Sequence, residues 1–136
     1  MLTSSKAFSS FAVNDLQQAK EFYGQTLGLR VTEETGMGGM LTLHLGGGAE
    51  ILVYPKPNHV AANFTLLNFP VPDIDQAVDE LTERGVTFER YAGFDQDEKG
   101  VMRAEGPPIA WFTDPSGNVL AVCERDLRTA GARRIG

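Results

Sequence analysis

The chain has 136 residues, 42% of them hydrophobic and 22% charged, with 12 basic against 18 acidic side chains and a net charge of −6. That length fits one domain with an ordinary core, and the moderate charge excludes disorder as the governing state. The acidic balance argues against a nucleic-acid partner, no apolar run approaches the roughly 18 residues that cross a bilayer, and the opening MLTSSKAFSS lacks the apolar stretch of a signal peptide.

Phe11 and Val13 alternate about Ala12 as in a strand, and Asp15 follows as a helix cap with Gln18 three residues on. Leu16, Ala19, Phe22, Tyr23 and Leu27 keep a helical stripe, and Gly28 ends it. Three short strands are predicted next, at Arg30–Glu34, Met40–Leu45 and Glu50–Tyr54, parted by glycine-rich turns at 35–39 and 46–48. Pro55-Lys56-Pro57-Asn58-His59 is too rich in proline for helix or central strand. It opens a linker, 56–62, between a first module of about 5–55 and a second of about 63–125.

The second module begins as the first did. Residues 69–77 repeat 11–19 at an offset of 58: Phe, Val, Asp, Gln and Ala recur in register, and Ile74 answers Leu16. Asp73 caps the helix, Ile74, Ala77, Val78 and Leu81 form its stripe, and Gly85 stops it. Strands are predicted at Thr87–Tyr91, Ile109–Thr113 and Val119–Glu124, with Asp114-Pro115-Ser116-Gly117-Asn118 as a tight turn. Residues 92–108 are a long irregular segment, either a flap over a pocket or a passive surface loop. Each half therefore reads strand–helix–strand–strand–strand, an α+β pattern.

Charge divides unevenly. Residues 1–123 hold 8 basic and 16 acidic side chains, whereas 124–136 hold Arg125, Arg128, Arg133 and Arg134 against Glu124 and Asp126. The tail 126–136 is either a solvated terminus or a strip that docks on the acidic body of a partner subunit. The single cysteine, Cys123, allows no internal disulfide, so a reducing cytoplasm is expected.

The opening Phe11-Ala-Val-Asn-Asp-Leu-Gln-Gln-Ala-Lys-Glu-Phe-Tyr23, then Leu27-Gly28, and the closing Phe112-Thr-Asp-Pro-Ser-Gly-Asn-Val-Leu120 resemble the vicinal oxygen chelate superfamily. That superfamily includes glyoxalase I, extradiol dioxygenases, fosfomycin-inactivating transferases, methylmalonyl-CoA epimerase and bleomycin-resistance proteins. The resemblance covers residues 5–125 and implies two tandem βαβββ modules, each curling a sheet into half of an open barrel with a concave ligand cleft. It says little about chemistry, since one fold hosts many reactions. Family enzymes hold a metal on four His or Glu side chains, one from the first and one from the last strand of each module. Carried over by spacing from the motifs, three of these positions fall on Phe8, Leu66 and Ala121. The fourth falls on Leu52 by strand alternation, with Glu50 two residues away on the same face. None of the four has a donor atom, so a metal-free cleft with no cofactor is expected.

Strand alternation then sorts what the cleft offers. Leu41, Leu43, Leu45, Ile51, Val53, Leu67, Phe69, Leu120 and Val122 are the expected core. Phe8, Ser10, Thr42, His44, Leu52, Tyr54, Leu66, Asn68, Trp111, Ala121 and Cys123 are the expected ligand-binding set, with Glu50 at the rim. Apolar and aromatic walls with sparse polar groups are the composition of a small-molecule pocket. Trp111 either stacks on a planar or cationic ligand or belongs to ordinary packing. His44 is either a general base or a hydrogen-bonded structural histidine, and the other histidine, His59, lies in the linker. Cys123 is either a nucleophile or, with no evident activating base, a small buried apolar residue. Glu50 pairs with a ligand cation or is a solvated strand-end charge.

The reading that follows is a metal-free binding protein similar to the bleomycin-resistance branch, sequestering an aromatic or cationic compound. A homodimer is expected, with neither nucleic acid nor membrane as partner. The rivals are a metal-dependent glyoxalase, lyase or dioxygenase using Glu50 and His44, and a regulatory module whose cleft is closed by Phe8, Trp111 and Tyr54 packed together.

Overall fold

The computed structural model describes residues 1–104 and 106–125. Within them the elements run β1 (Ser9–Val13), α1 (Leu16–Glu21), β2 (Arg30–Glu34), β3 (Met40–His44), β4 (Glu50–Pro55), β5 (Thr65–Pro70), α2 (Ile74–Glu83), β6 (Ile109–Thr113) and β7 (Val119–Cys123). The chain divides into two compact units, Met1–Val60 and the residues from Ala61 on. Each is α+β. The first carries a four-stranded sheet in the order β1-β4-β3-β2, and the second a three-stranded sheet in the order β5-β7-β6. The outer pairs β1/β4 and β5/β7 are parallel, and the remaining pairs antiparallel. Among the described residues no helix is long and apolar enough to cross a membrane. The arginine-rich tail 126–136 lies outside the described residues.

The repeated Asp-x-x-Gln signature performs the same local task twice. The Asp15 carboxylate accepts from the Gln18 N–H at 3.0 Å, and that of Asp73 from the Gln76 N–H at 3.1 Å, each filling an orphan donor of a helix start. At the second helix start a further carboxylate, that of Glu124, accepts from the Ile74 N–H at 3.2 Å. Both helices end on glycine at positive φ, Gly28 at 76° and Gly85 at 94°, which a side chain would disfavour. The closing bonds differ by one residue. Val86 N–H donates to the Leu81 carbonyl, but Leu29 N–H reaches back to Tyr23. The capping Asp and the terminal Gly are 13 residues apart in the first copy and 12 in the second. The surplus residue is absorbed by a π-helical turn over Phe22–Thr26, where one continuous α-helix to Leu27 was expected.

In the first unit Leu41, Leu43, Ile51 and Val53 are buried beneath α1 together with Tyr23, whose ring meets Phe11 and Phe22 at centroid distances of 5.8 and 5.1 Å. In the second, Leu67, Ile74, Val78, Ala110, Phe112, Leu120 and Val122 are buried. The Asp114–Asn118 turn is closed from within. Asp114 and Asn118 are both buried, and the Asp114 carboxylate accepts from Ser116 N–H, Asn118 N–H and the Asn118 side-chain amide at 2.9–3.0 Å.

One predicted strand is absent. Thr87–Tyr91 makes a single bridge, Phe88 to Phe112, in place of a ladder. Gln96 explains the departure: its side chain accepts from Tyr91 N–H at 2.8 Å and donates to the carbonyls of Glu89 at 2.9 Å and Gly100 at 2.8 Å. Backbone groups satisfied by a side chain have no need of a further strand partner. Leu66 lies where the β5/β7 register shifts, between Thr65 and Leu67, so its alternation with Asn68 is not that of a regular strand.

Candidate functional site

Each sheet has a face turned away from its helix; by strand register Ser10, Thr42, His44, Leu52 and Tyr54 share that face in the first unit, and Trp111, Ala121 and Cys123 in the second. The face of the first unit is largely bare. Along it the cross-strand rows are Ser10–Leu52–Thr42–Thr32 and Glu50–His44–Arg30. Phe8 is 71% exposed and Tyr54 38%, whereas Ser10 is exposed and Thr42, His44 and Leu52 are half-buried. Lys6, Phe8, Thr42, Glu50 and Leu52 contribute to an open groove of about 790 Å³. That volume is in the range of small-molecule sites.

His44 is held at both ring nitrogens. Its Nδ1 is 3.3 Å from Glu50 Oε2 and its Nε2 3.0 Å from Thr32 Oγ. The pattern closes when Nδ1–H donates to the carboxylate and Nε2 accepts from the hydroxyl. The adjoining row is pinned by Thr42, whose hydroxyl donates to Glu34 at 3.2 Å. Glu50, read from the sequence as a partner for a ligand cation or a solvated strand-end charge, is thus the direct partner of His44 across the sheet. Thr32, which sequence reading passed over, completes the chain from the diagonal position on the next strand. The result is a fixed imidazole beside an exposed carboxylate, able to meet a ligand cation or hydrogen-bond donor at the groove rim.

The equivalent face of the second unit is roofed. Ala121 and Cys123 are fully buried and Trp111 is 8% exposed, packed with Ile109 under Tyr91, Met102 and Val119. Three rings close on one another: Tyr91–Trp111 at 5.6 Å, Phe94–Trp111 at 5.3 Å and Tyr91–Phe94 at 5.6 Å, all steeply inclined. Burial, with the Glu89 charge adding to it, pushes the Tyr91 phenol above its ordinary pKa. Asn68 is exposed and Leu66 half-buried. The segment 92–108 supplies Phe94 and Met102 to this roof, which neither periodicity nor motif spacing indicates. Within the second unit Trp111 packs against Tyr91 and Phe94.

The segment is anchored by charge. Burial alone would raise the Asp97 carboxyl; hydrogen bonds from Val101 N–H and Lys99 N–H, with Arg103, outweigh it and hold the group below its ordinary pKa. Lys99 reaches Asp79 at 3.0 Å and Asp75 at 3.6 Å on α2, and Arg103 reaches Asp75 at 2.8 Å. The Lys99 ammonium is raised above its ordinary value, chiefly by its hydrogen bond to Asp79.

Carried over by motif spacing and strand alternation, the family's four ligand positions fall on Phe8, Leu52, Leu66 and Ala121, whose side chains offer no donor atom. Among the described residues no three His, Cys, Asp or Glu side chains gather as a metal site would require. On that carry-over, hydrocarbon side chains do not fit the family's ion.

The solved structures similar to this one share the same architecture. TnmS3, an antibiotic binding protein from Streptomyces sp. CB03234, aligns at 23% identity over 91% of this chain and 99% of its own, with a TM-score of 0.69. A glyoxalase family protein from Enterococcus faecalis aligns at 23% identity over 91% and 100%, with a TM-score of 0.67. The genomically encoded fosfomycin resistance protein FosX from Listeria monocytogenes aligns at 16% identity over 92% and 94%, with a TM-score of 0.68. At these identities the likeness is one of fold. Against curated proteins the sequence finds no match. The profile of the Glyoxalase/Bleomycin resistance protein/Dioxygenase superfamily matches residues 7–122, and the chain belongs to that superfamily.

Proposed function

We propose that this protein binds and sequesters a small aromatic or cationic compound without a metal ion and without turnover. The reading rests on Phe8, Leu52, Leu66 and Ala121, the positions onto which the family's ligand pattern carries over, having no donor atom. Without a Lewis acid, the isomerisations and oxygenations of the family lose the group that polarises the substrate oxygen. What is left on the first unit is a groove of about 790 Å³ with an apolar wall at Phe8 and Leu52 and a carboxylate at Glu50. A planar cation would meet the Phe8 ring and the Glu50 charge together. TnmS3, whose fold this chain shares, is an antibiotic binding protein, in keeping with capture as the activity.

The exposed apolar side chains Phe8, Val60 and Phe64 offer surface for a second copy of the chain, and a homodimer is part of the proposal. Burial of the lone Cys123 is compatible with work in a reducing cytoplasm. The metalloenzyme alternative has one point in its favour, the approach of His44 to Glu50 at 3.3 Å. Two donors already engaged with each other fall short of an enzyme's metal set.

The test is titration with a panel of aromatic cations, such as ethidium and acriflavine, followed by the fluorescence of the single tryptophan and by calorimetry. Saturable binding that is weakened by Glu50→Gln is expected. No heat and no fluorescence change across the panel at millimolar ligand would contradict sequestration.

A further inference from the structure

The second unit presents an aromatic surface that its sequence does not announce. We propose that Phe94, with Asp95 beside it, forms a rigid stacking platform for a planar aromatic cation, and that Trp111 lies behind it as support and not as the contact. The proposal rests on the sequestration reading above and is argued from the second unit alone.

The ordering of layers comes first. Trp111 is 8% exposed and Phe94 48%, with ring centroids 5.3 Å apart. A ligand approaching that face meets Phe94 before it can reach the indole. Tyr91 touches both rings at 5.6 Å, so the three form a wedge with its outer side on Phe94.

Rigidity comes second. An exposed ring on a loose loop would have to be ordered on binding, and that ordering subtracts from affinity. Here the segment is fixed from within. Gln96 makes three hydrogen bonds at 2.8–2.9 Å, two positions from Phe94. Asp97 accepts from Lys99 N–H at 2.9 Å and Val101 N–H at 3.0 Å. Met102 exchanges both backbone bonds with Ile109 of β6, and Val101 is 1% exposed. At Gly100, φ is +92° and a Cβ would stand 3.2 Å from Phe88 Cβ, so the turn tolerates little else. Lys99 and Arg103 tie it to Asp75 and Asp79 on α2. Phe94 is therefore held in place before any ligand arrives.

Charge comes third and sets the ligand class. Asp75, Asp79 and Asp97 are matched by Lys99 and Arg103. Arg90 donates to the Asp97 carbonyl at 2.7 Å. Asp95 and Glu98, both exposed, have no ion-pair partner among the described residues. Arg90, whose guanidinium meets only that neutral carbonyl among the described residues, leaves one positive charge unpaired, yet Asp95 and Glu98 keep the segment's balance negative, and a flat ring bearing a positive charge answers both features.

The experiment uses the full chain with ethidium, a planar aromatic cation, in calorimetry and tryptophan fluorescence, comparing wild type with Phe94→Ala, Phe94→Tyr, Asp95→Asn and Glu50→Gln. Near-ultraviolet circular dichroism establishes that each variant keeps its fold. Phe94→Ala is expected to weaken binding about tenfold and remove the fluorescence change, while Phe94→Tyr stays within about twofold. Asp95→Asn is expected to weaken binding about threefold, an effect that salt also reproduces. Unchanged affinity in Phe94→Ala overturns the platform, and tighter affinity would make the ring a gate instead. If Glu50→Gln abolishes binding while Phe94→Ala leaves it intact, the sequestration reading stands and the platform falls. Absence of wild-type binding at millimolar ethidium overturns both.

Discussion

The two units start alike and finish differently. Both open with a strand, a capping aspartate and a helix closed on glycine, and both pair their first and last strands in parallel. They part after the helix. In the first unit Arg30–Glu34 joins the sheet over five residue pairs and its outer face stays bare. In the second the corresponding stretch makes one bridge, and the chain after it folds back over the face as a roof of Tyr91, Phe94 and Met102. A repeat preserved in its helix-capping residues therefore leaves the character of the sheet face open. The fate of the strand after the helix decides whether that face is a groove or a core.

The contrast can be broken most forcefully at the roofed face. Trp111→Ala removes the centre of a buried cluster and is expected to cost about 3–5 kcal/mol of stability, read from urea denaturation. A loss under 1 kcal/mol would mean that the roof is not a packed core. Gln96→Leu comes next. It leaves Tyr91 N–H and the carbonyls of Glu89 and Gly100 without their partner, for a loss of about 2–3 kcal/mol, and amide exchange should rise first at Tyr91.

Acid gives a smaller effect with a definite sign. Asp97 is held below its ordinary pKa in the fold, so its contribution is fully present above the ordinary carboxylate value and is lost as pH falls through the lowered one. Unfolding followed from neutral pH to well below the ordinary carboxylate value of 3.8 should show this loss, and Asp97→Asn should flatten that acid limb. The smallest effect belongs to the bare face. Phe8→Ser, at a side chain 71% exposed, is expected to change stability by no more than about 0.5 kcal/mol while weakening aromatic-cation binding. A stability loss as large as that of Gln96→Leu would show Phe8 to be core.

Much of this was legible in the residues. Alternation placed Leu41, Leu43, Ile51 and Val53 inside, and the Asp-x-x-Gln spacing located both helix starts. The surplus residue before Gly28 was countable, yet its conversion into a π-helical turn goes with the packing of Tyr23 against Phe11 and Phe22. Alternation also put Trp111, Ala121 and Cys123 on the face away from the helix, but period-2 reasoning cannot say what lies on top of a face. That depends on Gln96, a polar residue in an irregular segment, spending its amide on backbone groups. The His44–Glu50 contact was hidden for a related reason: register across a turn, not nearness in sequence, made them partners.

Metal content measured on the chain as purified, alongside ethidium calorimetry before and after dialysis against a chelator, tests the proposed function most directly. Metal far below one equivalent and an affinity unmoved by the chelator are the expected results. One equivalent of nickel, zinc, manganese or iron, with binding lost on its removal, would contradict them.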